Sequence, residues 1–146
     1  MSDFRQLSDS MWASPQIGTG DVSKAADEGF SLVINNRPDG EEEGQPAGSV
    51  IESAAKESGL AYMAIPVGHS GFRETQVEAM AGALAEADGK VLAYCRSGTR
   101  STFLWALARA SQGADPAELA RAAQGAGYDI SPIIPMLDIL AAKAGH

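Results

Sequence analysis

Short apolar runs alternate with helix-spaced blocks along this chain, and that alternation limits the fold to a central, mostly parallel α/β sheet with helices on its faces. Residues 30–34 (Phe-Ser-Leu-Val-Ile) make a compact run suited to a buried strand. Residues 62–67 and 90–94 are two more, and 4–7 and 11–14 are short strands near the start. Between them, 21–28 reads as a helix closed by Gly29 and 47–58 as a helix stopped by Gly59. Residues 75–87 place Val77, Met80, Ala81 and Leu84 at helical spacing. Residues 101–111 are helical in composition, Pro116 suits the first turn of a helix reaching about Gln124, and Ser131 with Pro132 opens a last helix toward Ala144. A chain of 146 residues has the size of one core, so a single domain over 1–146 is expected.

Nineteen acidic residues against eleven basic ones give a formal charge of −8, which leaves no broad basic face for nucleic acid or an anionic membrane. One cysteine forms no internal disulfide and, with two histidines, makes a poor zinc site, so neither a metal nor a cofactor is expected. No apolar run approaches the roughly 18 residues that span a bilayer. The first residues lack the basic-then-apolar pattern of a secretion signal, which makes the cytoplasm the expected location. Oligomeric state is left open.

Chemistry concentrates in residues 91–101, Val-Leu-Ala-Tyr-Cys-Arg-Ser-Gly-Thr-Arg-Ser. An apolar strand delivers Cys95 to its C-terminal end, a small polar loop follows, and a helix begins. Inward-pointing amides of Ser97, Gly98 and Thr99, the positive end of the helix and the fork of Arg100 would together cradle an anion, with Arg96 and Ser101 at its margins. The same field favours the thiolate, the reactive form of a nucleophilic sulfur. A lone cysteine is more often a small buried hydrophobe, but two arginines and a Ser-Gly-Thr loop fit that account badly. Four of the eleven bases, Arg37, Arg73, Arg96 and Arg100, fall in loops that follow strands, where parallel sheets gather their ligands. Glu41 to Glu43 read as a solvated face.

Residues 33–41 (Val-Ile-Asn-Asn-Arg-Pro-Asp-Gly-Glu), the Ile65-Pro66-Val67 strand end and residues 94–101 together resemble the bacterial beta-lactamase-hydrolase-like phosphatase domains. The resemblance runs from about Ser14 to Ala142. It implies a fold like that of tyrosine and dual-specificity phosphatases, a nucleophile at Cys95 and an oxyanion-binding Arg100. Two departures stand out. Only four residues separate Cys95 from Arg100, where such phosphatases have five, and the shorter loop is similar to that of rhodaneses, which carry a persulfide on cysteine. The loop after Ile65-Pro66 also lacks the aspartate that phosphatases use as general acid. His69 lies there instead and is suited to proton transfer near neutral pH, although an exposed loop histidine is the plainer account of it. Asp39 is the second acid candidate, with turn formation before Gly40 the simpler role. Three functions remain: hydrolysis of a phosphomonoester through a phosphocysteine, with a small anionic or phosphorylated substrate; sulfur transfer between a sulfur donor and a thiol acceptor; and an idle anion-binding module.

Overall fold

A computed structural model describes residues 2–68 and 70–145. Its elements in chain order are β1 (Arg5–Ser8), β2 (Met11–Ser14), α1 (Thr19–Asp27), β3 (Phe30–Asn35), α2 (Gly48–Glu57), β4 (Ala61–Ala64), α3 (Glu74–Glu86), β5 (Lys90–Tyr94), α4 (Thr99–Ser111) and α5 (Pro116–Gly125). A 3-10 turn (Ser131–Ile133) then leads into α6 (Ile134–Ala144). The expected α/β class holds: five strands form one sheet in the order β1-β2-β5-β3-β4, parallel throughout except where β1 pairs antiparallel with β2. The strand expected over 62–67 is shorter and shifted, ending at Ala64. Its continuation still leans on the sheet, since the amides of Ile65 and Val67 donate to the carbonyls of Asn35 and Asn36 at 2.9 Å.

β5 is central because its side chains are buried on both faces. Val91 and Ala93 point into the cluster shared with Ile34, Met80, Leu104 and Leu137, while Leu92 and Tyr94 point the other way, to Val22, Val33 and Ile51. The second face is covered by α1 and α2, the first by α3 to α6. Trp105 belongs to the first core, and Phe72 and Phe103 pair at its margin, ring centroids 6.0 Å apart. Trp12 packs edge-on against Phe30 beneath the Lys90 ammonium.

Helix α4 is the pivot of the larger layer. Leu104, Trp105, Ala106, Leu107, Ala108 and Ala110 are all buried, and α3, α5, α6 and β2 pack around it. Its alanines let those neighbours approach closely, and its first turn begins at the anion loop. Strands β2, β3 and β5 end level with one another, Ser14 and Asn35 both opposite Tyr94, so the loops that follow them meet at one edge. Leu104 is fully buried in this helix. Leu104→Ala should therefore cost about 3 kcal/mol, read as a lower urea midpoint with an unchanged slope.

Candidate active site

Cys95 stands one residue past β5, and its amide donates to the Ser14 carbonyl at 3.3 Å, which fastens the start of the loop to β2. The residue is fully buried. The Gly98 amide donates to Cys95 Sγ at 3.1 Å. Gly98 carries φ 94°, a left-handed conformation that glycine adopts without strain. Immediately after it α4 starts, with Thr102 donating both its amide and its hydroxyl to the Gly98 carbonyl. The loop is less uniform than the expectation of successive inward amides. The Thr99 amide turns to Ser97 Oγ at 3.3 Å, and Ser97 Oγ donates in turn to Thr99 Oγ1.

Arg100 folds inward over this loop and is largely covered, its side chain 19% exposed. Nη1 donates to Glu41 Oε2 at 2.7 Å and to the Val67 carbonyl at 2.6 Å, and Nη2 donates to Glu41 Oε1 at 2.8 Å. The hydrogen bond to Glu41 raises the arginine's pKa, against the opposing cost of burial. Glu41 is thus no part of a solvated face. Its second partner is Arg37, whose Nε donates to Oε1 at 2.9 Å. Hydrogen bonds from Arg100 and then Arg37, working against the cost of burial, push the Glu41 carboxyl from 4.5 down to about 2.

Three of the four arginines converge on two carboxylates, Arg37 and Arg100 on Glu41 and Arg37 and Arg96 on Glu42. Arg37 is buried, and its remaining nitrogens are taken by Gln16 Oε1 and Glu42 Oε1, both at 3.0 Å, so its fork serves the scaffold rather than an incoming anion. Arg96 is 69% exposed and lies 3.7 Å from Glu42. Arg73 is exposed at the start of α3, its amide donating to Gln76 Oε1. The expected gathering of bases thus holds for Arg37, Arg96 and Arg100, and of these Arg100 is the one drawn in over the Cys95 loop. Asp39 is engaged elsewhere: its Oδ1 accepts the Gly48 amide at 2.8 Å, holding the start of α2 rather than only the turn before Gly40. His69 lies outside the described residues.

Ser101 is buried, and its hydroxyl donates to Asn36 Oδ1 at 2.8 Å. Asn36, one residue past β3, is the knot of the site. Its Nδ2 donates to the Ile65 carbonyl, its amide to the Tyr94 carbonyl, and its own carbonyl accepts from Val67. One buried amide thus joins the ends of β3 and β5, the segment after β4 and the first turn of α4. Its position directly after a buried strand was the available signal. Tyr128 was missed altogether, and its hydroxyl donates to the Ser97 carbonyl at 3.0 Å. Among the described residues no group of histidine, cysteine and carboxylate side chains is placed to hold a metal, and no helix is long and apolar enough to cross a membrane.

A cysteine at the end of a central parallel strand, facing an arginine from the first turn of the next helix, defines a protein of the tyrosine and dual-specificity phosphatase-like fold. The particular family is clear from residues 3–113, which match the model of the beta-lactamase hydrolase-like protein, phosphatase-like domain, and the chain belongs to that family. A beta-lactamase hydrolase-like protein of Xylella fastidiosa is 39% identical over 100 residues, covering 68% of this chain and 23% of that protein. The chain therefore spans under a quarter of such relatives. A solved Neisseria meningitidis structure, described as a candidate phosphatase, superposes with a TM-score of 0.82 at 34% identity, covering 93% of this chain and 96% of that one. P. aeruginosa TpbA shares the fold at 17% identity, with a TM-score of 0.70 over 99% of this chain and 92% of its own.

The depressed carboxyl of Glu41 makes a pH prediction. Its ionised form stabilises the fold above the ordinary value of 4.5, and that contribution is lost as pH falls toward about 2. Glu41→Gln should flatten the acid limb of a urea-midpoint profile across this window. Steeper acid sensitivity in the variant would contradict the assignment.

Proposed function

We propose that this domain is a cysteine-dependent phosphatase that hydrolyses a phosphomonoester through a phosphocysteine on Cys95. The observation that carries the reading is the Gly98 amide aimed at Sγ from 3.1 Å, with the Arg100 guanidinium drawn in over the same loop. In this reaction Sγ bonds to phosphorus as the ester P–O bond breaks, and the departing oxygen takes a proton. Water then adds to phosphorus, the S–P bond breaks, and inorganic phosphate leaves with the sulfur restored. Arg100 faces the oxygens on which negative charge is spread while the Gly98 amide holds the sulfur, so the protein acts by positioning and electrostatics.

Access to the sulfur follows from the same contacts. Cys95 is buried, and Arg100 gives three of its five N–H donors to Glu41 and Val67, so a phosphate that reaches Sγ meets the other two beside the Glu41 carboxylate. With Asp39 committed to capping α2, His69 is the acid in this reading. Aryl phosphates, whose phenolate leaves with little help, are the substrates least dependent on it.

Sulfur transfer is the second reading, favoured by one specific observation. The Glu41 carboxylate shares the Arg100 fork, and only four residues separate Cys95 from Arg100, a setting that opposes a phosphate dianion more than a single sulfur atom. A paired assay separates them: an aryl phosphate against thiosulfate with a thiol acceptor, with the intact mass measured after each. Hydrolysis predicts phosphate release and a trapped phosphoryl adduct. A gain of one sulfur atom on Cys95 would replace the first reading with the second, and neither adduct would leave an anion-binding module. Cys95→Ser should abolish turnover. Arg100→Lys keeps the charge but loses the fork, and should lower kcat by about 10² or more. In His69→Ala, a pH–rate profile unchanged in shape would remove His69 from the mechanism.

A further inference from the structure

The peptide between Ser97 and Gly98 is bonded at both of its polar ends. Its carbonyl accepts the Tyr128 hydroxyl at 3.0 Å, and its N–H donates to Cys95 Sγ at 3.1 Å. A trans peptide is planar, and its C=O and N–H point in opposite directions. Whatever holds the oxygen therefore aims the hydrogen. Glycine at 98 makes the unit easy to turn, since its left-handed φ of 94° lies in a region where glycine has alternatives of similar energy. Without a grip on the carbonyl, the plane is free to rotate and carry the N–H away from the sulfur.

We propose that Tyr128 is a positioning residue for this site, its hydroxyl locking the Ser97–Gly98 peptide so that the Gly98 N–H faces Cys95. Three further observations support it. The hydroxyl packs so closely on the loop that a Cβ at Gly98 would lie 2.0 Å from it, leaving room for glycine alone. The ring is buried, and the Arg5 guanidinium lies 5.1 Å from its centroid. Burial raises the Tyr128 pKa against the opposing pull of Arg5, so across ordinary pH the phenol stays protonated and able to donate. Tyr128 also lies beyond residues 3–113, outside the stretch matched by the family model.

The catalytic part of this inference rests on Cys95 being the nucleophile; the structural part does not. The test therefore has two readouts. Amide hydrogen exchange at Gly98, followed by nuclear magnetic resonance, needs no substrate. Turnover of an aryl phosphate, or of thiosulfate if that is what the protein consumes, reports the catalytic consequence. Tyr128→Phe removes one oxygen and keeps the ring. It should speed Gly98 exchange at least tenfold and lower kcat roughly tenfold with KM little changed, less than the 10²–10³ lost when a transition-state donor is removed outright. Arg5→Met disturbs the packing of the same ring but leaves the hydroxyl, and should keep both readouts within about twofold of the parent.

Equal exchange and equal kcat in Tyr128→Phe would overturn the proposal. So would Arg5→Met matching the Phe variant, because packing rather than the hydroxyl would then be responsible. A parent Gly98 amide exchanging as fast as a free peptide overturns it without any variant. Faster Gly98 exchange in Tyr128→Phe, in a parent that turns over neither substrate, would uphold the positioning and remove the enzymatic reading instead.

Discussion

A single carboxylate organises the edge of the sheet where Cys95 lies. Glu41 sits between two guanidinium groups, taking two hydrogen bonds from Arg100 and one from Arg37. Arg37 is buried and reaches Gln16 after β2, while Arg100 reaches the Val67 carbonyl after β4. Four loops are thereby stitched together by charge-assisted bonds, the kind that keep their strength when water is excluded. Removing the carboxylate would leave two covered cations facing each other. Keeping it places a negative charge beside the groove where an anion must bind. The same residue builds the cup and competes for it.

The architecture underneath explains why such an arrangement is tolerated. Parallel strands bring their C-terminal ends to one edge, where unpaired backbone groups need partners. Asn36 supplies several of them from one side chain and one peptide, and Ser101 completes the set. Every buried polar side-chain atom among the described residues has a partner, which is the condition under which a polar network rigidifies rather than weakens a core. The loop around Cys95 is therefore held from behind by neutral hydrogen bonds and from above by charge.

Much of this was legible in the chain itself. Strand and helix alternation, the strand leading to Cys95 and the Cys95–Arg100 pairing all followed from apolar spacing and from the small residues after the cysteine, because those features are local. What was illegible was non-local. Glu41 looked like one of three solvated acids, since only folding brings it to Arg100, 59 positions away. Arg37 looked like an anion ligand until its fork proved occupied. Tyr128 carried no mark in sequence because its importance lies in one hydroxyl meeting one carbonyl 31 residues distant. The strand over 62–67 ended early for a related reason: past Ala64 the chain serves the site's backbone bonding instead of the sheet ladder.

Helix α4 has a consequence that concerns inactivation. Its first turn forms one wall of the sulfur's cup, while its body is the most enclosed element of the larger layer. Such a segment cannot fray on its own, because every neighbour would have to part with it. Loss of the Cys95–Arg100 arrangement on heating should therefore coincide with global melting, with no separate transition at the loop.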